Sequence, residues 1–155
     1  MGIPSTANIG IVLDRVLLAL WVGALWTVGF LVVPVLFAEL ERSTAGTLAG
    51  ALFHRLNYAG LVIGAFLLLR NRLDPSAATA PALLLVLMLG SILVSEFGLA
   101  PQIAGLREAG FTAGSAEAAR FGRLHGAAAT LYLINALFGL ALLAIGIRPG
   151  VKHDP

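Results

Sequence analysis

Four apolar runs, each near the length of a membrane crossing, constrain this chain more than anything else it carries. They cover roughly residues 16–38, 50–69, 80–100 and 124–147. A hydrocarbon core about 30 Å thick asks for about 20 apolar residues per helix. In lipid, only a helix or a closed barrel satisfies its own backbone, and Leu- and Ala-rich runs of this length are helices. Arg70 and Arg72 close the second run, Pro101 the third and Arg148 the fourth. The fold expected is an all-α integral membrane protein: a four-transmembrane-helix bundle, one membrane domain over residues 1–155, with both termini on one face.

Composition narrows the function classes. Of 155 residues, 59% are hydrophobic and 12% charged, about half the charged share of a soluble domain. The net charge is only +2 and its basic residues are dispersed, so no nucleic-acid footprint is present. The absence of cysteine removes disulfide and thiolate chemistry. No phosphate-binding loop, dinucleotide fingerprint or nucleophile triad is visible, so catalysis would need a cofactor and a non-enzymatic role is expected. The first run is too long for the apolar region of a signal peptide and reads as a retained span.

Orientation turns on one connector. Arg15, Arg70, Arg72, Arg148 and Lys152 lie on the terminal side, and Arg42, Arg55, Arg107, Arg120 and Arg123 on the other. Arg70 and Arg72 sit in a short loop tight against the membrane, where basic residues weigh most. The expected location is therefore a multi-pass one, in a membrane of the bacterial inner type, with both termini cytoplasmic.

The chain also repeats itself. Residues 44–57 (TAGTLAGALFHRLN) and 112–125 (TAGSAEAARFGRLH) share seven of fourteen positions. One residue off that register, Pro34 pairs with Pro101 and Gly23 with Gly90. The reading is two tandem helical hairpins, over about 10–75 and 76–148, a parallel repeat whose axis lies along the membrane normal. Thr44 and Thr112 are expected to cap short helices before spans two and four.

Against this apolar background the polar residues stand out. His54 and Arg55 open span two, Glu96 lies shortly before the end of span three, and Arg123 and His125 open span four. All fall at the face opposite the termini, and the inner halves of the spans hold almost no ionisable group. Ionisable residues at this depth usually face the bundle or a water-filled cavity. His54, Asn57 and Tyr58 share one helical face by their spacing, as do His125 and Tyr132. The expected site is a cavity lined by His54, Asn57, Tyr58, Glu96, His125 and Tyr132 and rimmed by Arg55 and Arg123. Each residue also has a plainer role: headgroup contacts for the arginines, ion pairing for Glu96, interfacial hydrogen bonding for His54. Trp21 and Trp26 read as packing or lipid-facing residues. Gly46-x-x-x-Gly50 and Gly60-x-x-x-Gly64 read as small-residue faces for close helix contact, in this chain or in a homo-oligomer.

WVGALWTVGFLVVPVLF in span one, TAGTLAGALF before span two and FGRLHG opening span four resemble the transmembrane-protein-205-like family, whose bacterial members form a domain of unknown function, number 4149. The resemblance covers nearly the whole chain. It implies a four-helix integral membrane protein of no assigned activity, distantly similar to copper-resistance D proteins and to haem-binding membrane oxidases. That family pattern carries a serine shortly after the His-Gly pair, where this chain has Ala127, Ala128 and Ala129.

Three functions are compatible with these residues. The first is binding or passage of a small ligand, a proton or a metal cation, with His54, Glu96 and His125 as metal ligands for copper or zinc. Such sites usually take three or four ligands. The second is a b-type haem held by His54 and His125. The third is a structural or assembly protein whose polar cluster is a satisfied network. The first is preferred: His54 and His125 as ligands or proton acceptors, Glu96 as counter-charge, Arg55 and Arg123 as anion or headgroup contacts. The expected partner is the lipid bilayer.

Overall fold

Two prolines decide how the odd-numbered spans are built. A computed structural model describes residues 6–147; Arg148 and Lys152, counted above for orientation, lie outside them. Helix α1 (Thr6–Thr27) gives way to a π-helical turn, Val28–Val32, and then to α2 (Val33–Glu39) with Pro34 in its first turn. Helix α4 (Thr79–Leu93) does the same, through a π-helical turn at Val94–Leu99 into α5 (Ala100–Ala109), with Pro101 in its first turn. A proline inside a helix removes a donor and crowds the carbonyl four residues back. The wider π turn relieves that crowding without breaking the span. Helices α3 (Arg42–Arg72) and α6 (Ala116–Ile145) are uninterrupted.

Four helical stretches long and apolar enough to cross a membrane result: Ile9–Glu39, Arg42–Arg72, Thr79–Ala109 and Ala116–Ile145, of 31, 31, 31 and 30 residues. This is the four-helix membrane bundle expected. Each stretch runs some eight to eleven residues past its apolar run. At 1.5 Å per residue it is about 46 Å long, against a core of about 30 Å. The excess lies mostly at the face opposite the termini. There Arg107 donates to the Gly46 carbonyl at 3.1 Å, and Arg120 to Gln102 at 2.9 Å. The expected short caps are not there: Thr44 lies inside α3, and α6 is capped by Ser115, whose hydroxyl accepts from the Ala118 amide at 3.1 Å.

The packed neighbours are α1 and α2 with α3, α3 with α4, α4 and α5 with α6, and α6 with α1. The spans thus form a ring in chain order, as in an up-down-up-down bundle, with two and four on one diagonal. Leu18, Trp21, Val22, Leu25, Leu67, Leu85, Met88, Ile92 and Leu142 fill the centre. The glycines earn their places against particular side chains. Trp21 lies on Gly60 and Gly64, and a Cβ at Gly60 would stand 2.7 Å from its Nε1. Gly46 and Gly50 seat the Arg107 guanidinium. Both small-residue patterns are therefore occupied within the chain. Trp21 is a core residue and Trp26 donates to the Ala136 carbonyl at 3.4 Å, so packing is the role of both.

Candidate functional site

The apolar stripe that α4 turns to the core runs Leu85, Met88, Ile92, and its next member is Glu96. The acid is buried because it continues this stripe, in the π turn that Pro101 imposes. Such turns recur at functional sites because they re-aim a side chain. Both carboxylate oxygens are engaged from α3. Oε1 meets His54 Nδ1, and Oε2 accepts from Asn57 Nδ2 at 2.8 Å. His54 and Asn57 stand one turn apart on the same α3 face, as their spacing required.

The two sides of this contact differ in exposure. The Glu96 side chain is 5% exposed and that of His54 59%. A carboxylate opposite Nδ1 favours the tautomer with its hydrogen on that nitrogen, the arrangement by which carboxylates orient histidines. The Tyr58 ring is tilted against His54 with centroids 4.7 Å apart, and Phe97 meets Tyr58 edge-on at 6.3 Å.

The other expected residues are not brought to this point. Tyr132 donates its hydroxyl to the Leu25 carbonyl, one turn before the first π turn, and packs edge-on against Phe53 at 4.9 Å. His125 is exposed and stacks on Phe121, the rings 5.8 Å apart and nearly parallel, with Phe111 beside them. It rides on span four, diagonal to the span that carries His54. The set His54, Glu96 and His125 is thus not assembled. Among the described residues, no group of three or more His, Cys, Asp or Glu stands ready to hold a metal ion. Arg55 donates to the Ala51 carbonyl of its own helix at 3.1 Å, and Arg123 is exposed.

A second polar layer lies at the terminal face, just outside the apolar runs 16–38 and 50–69. Asp14 is 1% exposed and accepts from Arg70 Nε at 2.6 Å. The guanidinium lies over Gly10 and against the Phe66 ring. Asn71 beside it is buried and donates to the Ile147 carbonyl at 3.2 Å. The sequence carried the signal. Asp14, Leu18, Trp21 and Leu25 form one helical stripe, which extends two residues beyond the edge of the first apolar run. Two cavities lie at this same face: one of about 10 Å³ by Asp14 and Ile147, and one of about 200 Å³ where α3 turns into α4, between Asn71, Arg72 and Thr79.

The family model described as "Domain of unknown function (DUF4149)" matches residues 16–112. That stretch holds His54, Asn57 and Glu96 and ends before His125 and Tyr132. No curated protein and no solved structure matches the chain.

Proposed function

The chain belongs to the DUF4149 family, and from that premise we propose that it is an integral membrane protein that binds a small hydrogen-bond donor or a proton at the Glu96–His54 dyad. Glu96 fixes the hydrogen on His54 Nδ1, Asn57 holds the second carboxylate oxygen, and His54 Nε2 is the atom offered to the ligand. One observation carries this reading: a buried carboxylate with both oxygens engaged backs an imidazole whose side chain is 59% exposed.

Binding is favoured over passage. Leu18, Trp21, Leu25, Met88 and Ile92 pack the axis between the two polar layers. A metal or haem, which the wider likeness to copper-resistance D proteins and membrane oxidases would imply, finds one imidazole and one carboxylate here, fewer than the three or four ligands of a usual metal site. The orientation that puts this face outside, with the termini cytoplasmic, rests on Arg70 and Arg72 in the short connector at the other end.

The test is the tautomer of His54, read by ¹⁵N NMR of histidine-labelled protein in lipid nanodiscs. The expected result is hydrogen on Nδ1 in the wild type and a shift toward the Nε2-protonated form in Glu96→Leu. A tautomer indifferent to Glu96 would sink the proposal. A second reading, a purely structural tether, draws on the same two bonds, since they run from α3 to the third span. It expects stability to respond to Glu96→Leu and no solute to perturb Nε2.

A further inference from the structure

The dyad opens sideways. Among the described residues, His54 Nε2 has no hydrogen-bond partner. Tyr58 and Phe97 beside it are 45% and 58% exposed. On the axis side the way is closed by Ile92 and by Trp21 seated on Gly60. Both cavities described above lie at the far face. Tyr58 and Phe97 stand on helices long and apolar enough to cross a membrane, so a molecule that reached Nε2 past these two rings would come from the bilayer.

The chemistry of the spot narrows what that molecule is. An imidazole whose Nδ1 hydrogen is held on a carboxylate offers Nε2 as a hydrogen-bond acceptor. Its complement is an acidic O–H. Beside it, the Tyr58 and Phe97 rings offer faces and edges at the spacing aromatic groups prefer, which suits a flat apolar ring. An ammonium headgroup suits it less, because the carboxylate that would attract it is 5% exposed and already holds two partners. We infer that His54, Tyr58 and Phe97 form a lateral site for a membrane-dissolved phenolic amphiphile, its ring against Tyr58 and Phe97 and its hydroxyl donated to His54 Nε2. The inference rests on the dyad reading above.

The experiment uses the full chain, ¹⁵N-histidine-labelled, in phosphatidylcholine nanodiscs titrated with 4-nonylphenol, its methyl ether and dodecylamine. The expected result is a saturable shift of the His54 Nε2 resonance with nonylphenol. The ether, which cannot donate, should bind about tenfold more weakly, the loss of one hydrogen bond. Tyr58→Leu should weaken nonylphenol binding by about fivefold, the loss of one aromatic contact, with the tautomer unchanged. Equal binding of phenol and ether would show partitioning alone and overturn the inference, as would dodecylamine binding more tightly than the phenol. No response to any probe, with hydrogen on Nδ1 as proposed, would overturn the lateral site while leaving the dyad standing. A wrong tautomer would remove both.

Discussion

At the terminal face Asp14 meets Arg70, with side chains 2% and 26% exposed; at the opposite face Glu96 meets His54, at 5% and 59%. Each layer thus holds a buried carboxylate on the core stripe of an odd-numbered span, answered by a basic side chain from α3. The difference is in the partner. Arg70 is always charged, lies flat in the gap left by Gly10, and is held further by Phe66. Nothing about it exchanges. His54 turns one nitrogen inward and leaves the other outside. The same carboxylate chemistry thus meets an arginine at one end and, in the function proposed above, orients an imidazole at the other.

The comparison can be broken first at the terminal end. Asp14→Ala strands a partly buried guanidinium, and losing one partner of such a pair costs about 3–5 kcal/mol. The expected result is a loss near about 3 kcal/mol in reversible unfolding in bicelles, with most of it recovered when Asp14 and Arg70 are both replaced by leucine. A small single-mutant effect would mean that the pair does not fasten the bundle. The next largest effect is expected at Gly60→Ala. A Cβ there would stand 2.7 Å from Trp21 Nε1 and 3.0 Å from its Cε2, and overpacking of a filled core costs about 1–3 kcal/mol.

Glu96→Leu should cost less than either, about 1 kcal/mol, because interhelical hydrogen bonds in membranes average about 0.6 kcal/mol each. If it cost as much as Asp14→Ala, the two layers would be alike and the dyad merely structural. Smallest of all, Gly46→Ala should be neutral or stabilising by up to about 1 kcal/mol through helix propensity, since its Cβ would meet Arg107 only at 3.6 Å. Thermal melts of the two glycine variants side by side distinguish a tight helix crossing from an arginine seat.

How much of this was legible in the sequence follows from which physical rule each feature obeys. The spans were readable because hydrophobic length is set by the bilayer. The partnership of His54, Asn57 and Glu96 was half readable: helical spacing put the first two on one face, and Glu96 stood at the right depth. What spacing could not supply was the ring order of the spans. That order puts two and four on a diagonal: His125 stacks on Phe121 of its own helix, and Tyr132 reaches Phe53 and the Leu25 carbonyl instead of His54. Asp14 was lost for a different reason. An apolar run has no sharp edge, and a charge at its border looks like the border. Only extending the core stripe of α1 backward from Trp21 would have claimed it. The π turns could not be read from the prolines alone, which tell where a helix is strained but not how it yields.

The measurement that tests the central claim most directly is the ¹⁵N NMR tautomer of His54 in the wild type and in Glu96→Leu, in nanodiscs. If Glu96 holds the inner nitrogen and Nε2 is offered outward, hydrogen sits on Nδ1 in the wild type and moves toward Nε2 when the carboxylate is gone. If both proteins give the same tautomer, Glu96 does not orient His54, and the opposite face is only another place where the bundle is tied together.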